Sequence, residues 1–140
     1  MFFILLISFL FLNGTCAFAD DLPKDLKKLR SDFDQACQNL LSGNNEKSAK
    51  ALSSTIKQLE EDHEKAVGRA RKIMSTTVRE MKRFERGIDN RNLNSRTSRL
   101  EQLYFDAETA LKAHVKKMDP TAQIPDGLIV GNQGKCVLKE

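Results

Sequence analysis

The chain has 140 residues, three cysteines, no tryptophan and a formal net charge of +4, a length that suits one domain with a modest core. Outside the first 19 residues the only aromatics are Phe33, Phe84, Tyr104 and Phe105; this weighs against a base-stacking nucleic-acid platform and suits helices packed in layers on Leu, Ile, Val, Met and Ala. No nucleophile elbow, phosphate loop, HExxH, CxxC pair or paired-carboxylate pattern stands in the sequence, which argues against an enzyme and implies no cofactor.

Residues 1–19 read as a signal peptide. Phe2 to Leu12 is an apolar run shorter than the roughly 20 residues of a membrane span, so no integral span is expected. Ala17-Phe18-Ala19 supplies the small-x-small pattern of a cleavage site. The expected product is a secreted, extracellular protein with a helical bundle domain over 20–118 and a C-terminal tail over 119–140.

The first helix is carried by Leu22, Leu26, Leu29, Phe33, Ala36 and Leu40, whose spacing alternates between 4 and 3, an apolar stripe on one helical face. Ser42-Gly43-Asn44-Asn45 ends it and caps the next helix. From Glu46 to about Arg86 the helical period continues through Leu52, Ile56, Leu59, Ala66, Ala70, Ile73, Met81 and Phe84 without a proline. That predicts a long central helix with Gly68 as its one soft point. A third helix through Leu100, Leu103, Tyr104, Ala107, Leu111, His114, Val115 and Met118 stops at Asp119-Pro120, because proline disfavours helix at the residue before it. The fold class is therefore all-α: an antiparallel helical bundle with a long central helix flanked by two shorter ones and an irregular C-terminal tail.

Two cysteines, Cys37 and Cys136, remain after export, an even count in a compartment that permits disulfides. A bridge between them, with the tail acting as a strap, is the favoured reading, and two unpaired thiols are the alternative.

Asn90, Asn92, Asn94, Ser98 and Glu101 fall at positions 1, 3, 5, 9 and 12 of a twelve-residue stretch, the ligand positions of a calcium-binding EF-hand. Glu101 is the sole carboxylate, Arg91, Arg96 and Arg99 repel a cation, and Ser95 replaces the glycine of the sharp turn. Ser98 to Glu101 also reads as a capping box. No metal is expected here, and the stretch is read as a helix connection. His63 and His114, with Glu60 or Glu64, could in principle offer imidazole and carboxylate to zinc, but nothing clusters them in sequence.

Charge is more informative. Residues 69–99 hold ten basic against three acidic residues, a local +7 in a chain of +4. On a helical wheel Arg69, Lys72, Arg79, Arg83 and Arg86 fall within about 100° of arc opposite the apolar stripe. Such a face attracts polyanions, sulfated glycans before nucleic acid, which export removes from reach. An ordinary solvated helix face is the plainer alternative.

The stretch "LEEDHEKAVGRARKIMSTTVREMKRFERGIDNRNLNS", with Leu59, His63, Ala66, Val67, Met74, Ser75, Ile88, Asn90, Leu93, Asn94, Val115, Lys116 and Met118, resembles the SXP/RAL family of secreted nematode antigens over about residues 59–118. The departures are an extra helical turn between Val67 and Met74, a shorter Leu-Asn turn, and a cysteine pair not usual in that family. The resemblance implies a secreted all-α bundle met by host immunity as an antigen, in a family linked to divalent cations. Taken together, the expected function is that of a secreted, non-enzymatic binding, effector or antigen-type protein whose basic face meets sulfated glycans or host proteins. The alternatives are a periplasmic-type helical chaperone, marked by a concave apolar surface, or a weak divalent-cation-binding protein. Homodimerisation is one way so narrow a bundle completes its core.

Overall fold

The computed structural model describes residues 22–88 and 91–138. The signal-peptide reading of 1–19, together with Asp89 and Asn90, lies outside the described residues. Four helices and no strand are found among those described: α1 (Lys24–Leu41), α2 (Asn45–Lys65), α3 (Gly68–Gly87) and α4 (Leu93–Met118).

Contacts between the helices fix their directions. Lys28 reaches Ser54 and Ser48 reaches the Ala36 carbonyl, so α1 and α2 are antiparallel. Ser53 meets Glu85 and Glu60 meets Lys82, so α3 runs back along α2. Glu80 meets Arg99 across α3 and α4, and Phe33 packs on Tyr104 across α1 and α4. The result is an up-down-up-down four-helix bundle with each helix antiparallel to both neighbours.

The bundle is all-α and antiparallel with an irregular C-terminal tail, as the sequence indicates; the difference lies at residues 66–68. The run from Glu46 to Arg86 is two helices, and the longest element is α4 with 26 residues. Ala66 leaves the helix with ψ 150°, Val67 is extended, and Gly68 sits at φ +60°. Only glycine enters that left-handed region without a Cβ penalty. So short a turn, without proline or a polar run, leaves the apolar repeat in step on both sides, and periodicity cannot reveal it.

The other ends follow local chemistry. Gly43, at φ +80°, lets the chain leave α1 while the Ser42 and Asn44 amides donate back to Gln38 and Asn39. The Asn44 side chain then accepts from the Lys47 amide and starts α2. At α4 the cap is Asn92, which accepts from the Ser95 amide at 2.8 Å, rather than Ser98. The expected capping box therefore lies inside the helix, displaced because an asparagine is as good an N-cap as a serine. Asp119 closes α4, its carboxylate accepting from the amide and hydroxyl of Thr121.

The core is made of the predicted stripes: Leu26, Leu29, Phe33, Ala36 and Leu40 on α1, with Leu52, Ile56, Leu59, Met74, Met81, Phe84, Leu100, Leu103, Tyr104 and Leu111 from the other helices. Burying each large apolar side chain contributes roughly 1.5–3 kcal/mol. Met118 departs from its stripe and is 61% exposed, because α4 has outrun its neighbours there. A polar chain crosses this core. The Asp32 carboxylate accepts from Lys28 and from the Thr55 hydroxyl at 3.0 Å, and Thr55 in turn meets the Tyr104 hydroxyl at 2.7 Å.

The tail is a strap across α1 and α4. The Sγ atoms of Cys37 and Cys136 are at disulfide distance, 2.11 Å. Glu108, only 2% exposed, accepts from the Ile129 amide and pairs with Lys112, and Ile129 and Val130 are buried beside it. Glu101 accepts from the Cys136 amide, Gln38 donates to the Val137 carbonyl, and Lys112 donates to the Gly127 carbonyl. Gly131 passes so close to Asp34 that a Cβ there would lie 2.2 Å from its carboxylate. No described helix is long and apolar enough to cross a membrane.

Candidate functional site

The five cations singled out on α3, Arg69, Lys72, Arg79, Arg83 and Arg86, are all exposed. Ala70, Met74, Thr77, Met81 and Phe84 face inward on the same helix, which sets the basic residues on the outer side. From Arg69 to Arg86 the row is about 25 Å long at 1.5 Å per residue. It is not uniform. Glu80 sits within it, meeting Arg83 at 3.3 Å, Arg79 at 3.9 Å and Arg99 of α4 at 2.8 Å. Arg69, Lys72 and Arg86 form no ion pair among the described residues, so their charge is left to solvent.

Four further residues of the basic block serve the scaffold, and Arg71 is exposed. Arg91 lies over the Phe84 ring at 6.0 Å, Arg96 donates to Asn45, Arg99 holds Glu80, and Lys82 pairs with Glu60 at 3.5 Å. Three of the ten basic residues, Lys82, Arg96 and Arg99, thus stitch α2, α3 and α4 together.

The EF-hand positions do not form a loop. Asn90 lies outside the described residues. Asn92 caps α4, while Asn94, Ser98 and Glu101 lie inside that helix, and the Glu101 carboxylate is taken by the Cys136 amide. Oxygen ligands strung along a helix cannot converge on one ion as the turns of a loop do. Among the described residues no three His, Cys, Asp or Glu side chains are placed to hold a metal. His63 and His114 are likewise separated: His63 lines a shallow depression with Glu60, Glu64, Ser75 and Val78, and His114 opens on the opposite side of α2.

That second opening had no sequence signal. At one end of the bundle the start of α1, the end of α2 and the end of α4 frame a cleft of about 500 Å³. Pro23, Val115, Met118 and Ala122 give it apolar walls; Lys24, Lys65 and Asp119 stand at it, and Asp25, Asp62 and His114 supply its polar lining. Asp25 and Asp62 both line it, and Gln58 donates to Asp62 at 2.9 Å. Burial, reinforced by the hydrogen bond and the charge of Asp62, pushes the Asp25 carboxyl up to about 6. His114 is 5% exposed, and its charge partly offsets the rise at Asp25. Periodicity marked His114 as a stripe residue; the two aspartates, far apart in sequence, are paired only by the antiparallel packing of α1 on α2.

No family model, no curated protein and no solved structure matches the chain.

Proposed function

We propose that the protein is a secreted, non-enzymatic helical binding protein that presents the outer face of α3 to anionic extracellular partners, sulfated glycans foremost. The observation that carries this reading is the row of five exposed cations along one helix, three of them without an ion pair among the described residues. A linear polyanion lying along such a row gains several contacts at once and releases the counterions it had condensed. Support for the extracellular setting comes from the apolar run ahead of Ala19 and from the cysteine pair at disulfide distance. An effector or antigen role of the SXP/RAL kind fits the same description and rests on the resemblance alone. The large exposed apolar residues weigh against the chaperone reading. They are spread over the α2–α3 turn (Val67), the length of α4 (Leu93, Phe105 and Met118) and the tail (Leu128, Val137 and Leu138).

Heparin chromatography tests the proposal. Wild-type protein should be retained above physiological salt, and the Arg79→Glu/Arg83→Glu/Arg86→Glu variant should flow through with unchanged helical circular dichroism. Coelution of the two proteins, or elution of wild type below physiological salt, reduces the row to a solvated surface.

A further inference from the structure

The turn at residues 66–68 does more than divide two helices. It sets the start of α3 against the end of α2 and leaves an open depression of about 360 Å³ between them, lined by His63, Gly68, Arg71, Lys72, Ser75 and Thr76. One imidazole, two cations and two hydroxyls meet there, and the lining contains no carboxylate. Arg71 and Lys72 are both exposed, and the first turn of α3 holds no acidic residue. The Thr76 hydroxyl is spent on the Lys72 carbonyl, at 3.2 Å, which leaves Ser75 as the hydroxyl donor of the set.

His63 and Ser75 also border the neighbouring depression, which they share with Glu60, Glu64 and Val78. The two hollows adjoin but differ in sign, with carboxylates on the α2 side and cations on the α3 side. An anionic chain is therefore turned away from α2 and directed along α3, toward Arg79, Arg83 and Arg86.

Resting on the reading that the outer face of α3 meets sulfated glycans, we infer that this depression is the anchor of that face: a subsite for one sulfate ester, held by Arg71, Lys72 and Ser75 with His63 as its wall. A sulfate ester offers only acceptor oxygens, and Arg and Lys side chains offer only donors. The guanidinium fork spans two oxygens of one group, while the ammonium acts as a point charge beside it. The row itself is the convex side of a single helix, where a short ligand meets one or two cations at a time. The depression is concave and built from two helices, so it can hold a short ligand by itself. Arg71 lies outside the arc of the row, on the side of α2, and this placement gives it a part in binding. From Lys72 to Arg86 the row continues for about 21 Å at 1.5 Å per residue, a distance that only a longer chain covers.

Titration of the oxidised full-length protein with a fully sulfated heparin disaccharide, read by the NMR signals of the two histidine rings, tests the subsite. The expected result is a saturable shift at His63 and none at His114, which opens on the opposite side of α2. Arg71→Gln/Lys72→Gln should weaken disaccharide binding about tenfold, as the loss of two exposed cation contacts predicts, with native circular dichroism. Lys27→Gln/Lys50→Gln removes the same two charges from exposed positions on α1 and α2 and should bind the disaccharide as wild type does. The unsulfated disaccharide should leave His63 unmoved, and inorganic sulfate and phosphate should bind more weakly than the sulfated disaccharide. If wild type is retained on long heparin but the disaccharide leaves His63 unmoved, the anchor is overturned and the reading of the α3 face stands. Equal disaccharide binding by wild type and a folded Arg71→Gln/Lys72→Gln variant has the same consequence. Inorganic sulfate or phosphate binding as tightly as the disaccharide makes the depression a free-anion site and overturns its place on a glycan. Wild type that passes through long heparin unretained overturns the face reading, and the anchor with it.

Discussion

Thr55 and Tyr104 join their hydroxyls at 2.7 Å inside the bundle, although they stand on α2 and α4, which face each other across its diagonal. The donor order follows from the third member. The Asp32 carboxylate at 3.0 Å and the Ala51 carbonyl at 3.3 Å only accept, so the single Thr55 proton goes to these, nearest Asp32, and Tyr104 must donate to Thr55. Burial raises the phenol far above its ordinary range, so it keeps the proton that this order requires.

Substitutions should follow that order. Tyr104→Phe removes one donor and leaves the Thr55–Asp32 bond intact, a loss of about 0.5–1.5 kcal/mol. Thr55→Val strands the Tyr104 hydroxyl, while Asp32 Oδ2 keeps Lys28, and the stranded hydroxyl should cost about 1–3 kcal/mol more than the bond itself. Urea denaturation of the two variants distinguishes them. Equal losses would show that the chain does not run from Tyr104 to Asp32.

The Asp25–Asp62 pair makes a pH prediction with a definite sign. The folded Asp25 titrates at about 6, above its ordinary value of 3.8, so between those values the folded state binds more protons than the unfolded one. Stability from this group is therefore complete below the unfolded value and is lost as pH rises through the folded one. Asp25→Asn keeps a donor toward Asp62 and loses the charge. Its melting temperature should exceed that of wild type at neutral pH, and the two should converge near pH 4. A wild-type melting temperature that falls on acidification from neutral pH, with Asp25→Asn falling in parallel, would remove the carboxyl pair from the account.

The strap predicts how the tail comes away. Cys37 and Cys136 should be joined in the mature protein, and the peptide map of the non-reduced chain decides this. With a sequence separation of 99, the bridge contributes up to about 4.7 kcal/mol in the chain-entropy model. Without it, the polar tethers remain: Glu108 to Ile129, Glu101 to Cys136 and Gln38 to Val137. Hence Cys136→Ser should unmask proteolysis near Lys135 while the Ile129 amide stays protected from exchange. Adding Glu108→Gln should release that amide too, since a neutral amide is a weaker acceptor than a carboxylate by about half. Uniform release of the whole tail in Cys136→Ser would mean that the disulfide alone holds it.

How far these features were legible depends on whether they are local. The apolar stripes of α1 and α4, the caps at Asn44 and Asp119, and the stop before Pro120 are each written within a few neighbouring residues, and all of them could be read. The α2–α3 turn could not, because Ala66, Val67 and Gly68 interrupt the backbone without interrupting the hydrophobic period. Glu108 reads as a solvated residue of α4 until the tail folds over it. Asp25, Asp62 and His114 are single residues on three helices, and only the bundle topology brings them to one cleft. The basic face was legible because it is confined to one helix. Its internal pairing was not, since Arg99 reaches Glu80 from another.

That pairing sets the last prediction. Glu80 lies within reach of Arg79, Arg83 and Arg99, so a polyanion approaching Arg79 or Arg83 competes with a carboxylate already present. Arg69, Lys72 and Arg86 have no such competitor among the described residues. Single alanine substitutions should therefore reduce heparin affinity more at Arg69, Lys72 or Arg86 than at Arg79 or Arg83. Glu80→Gln should do the reverse and raise affinity by freeing charge. All of these differences should shrink in high salt, because the screening length falls from about 10 Å at 0.1 M to about 3 Å at 1 M. The readout is the salt concentration at which each variant elutes from heparin. An order in which the Arg79 and Arg83 variants lose most, or a Glu80→Gln variant that binds less tightly, would show that the row does not act through its unpaired charge.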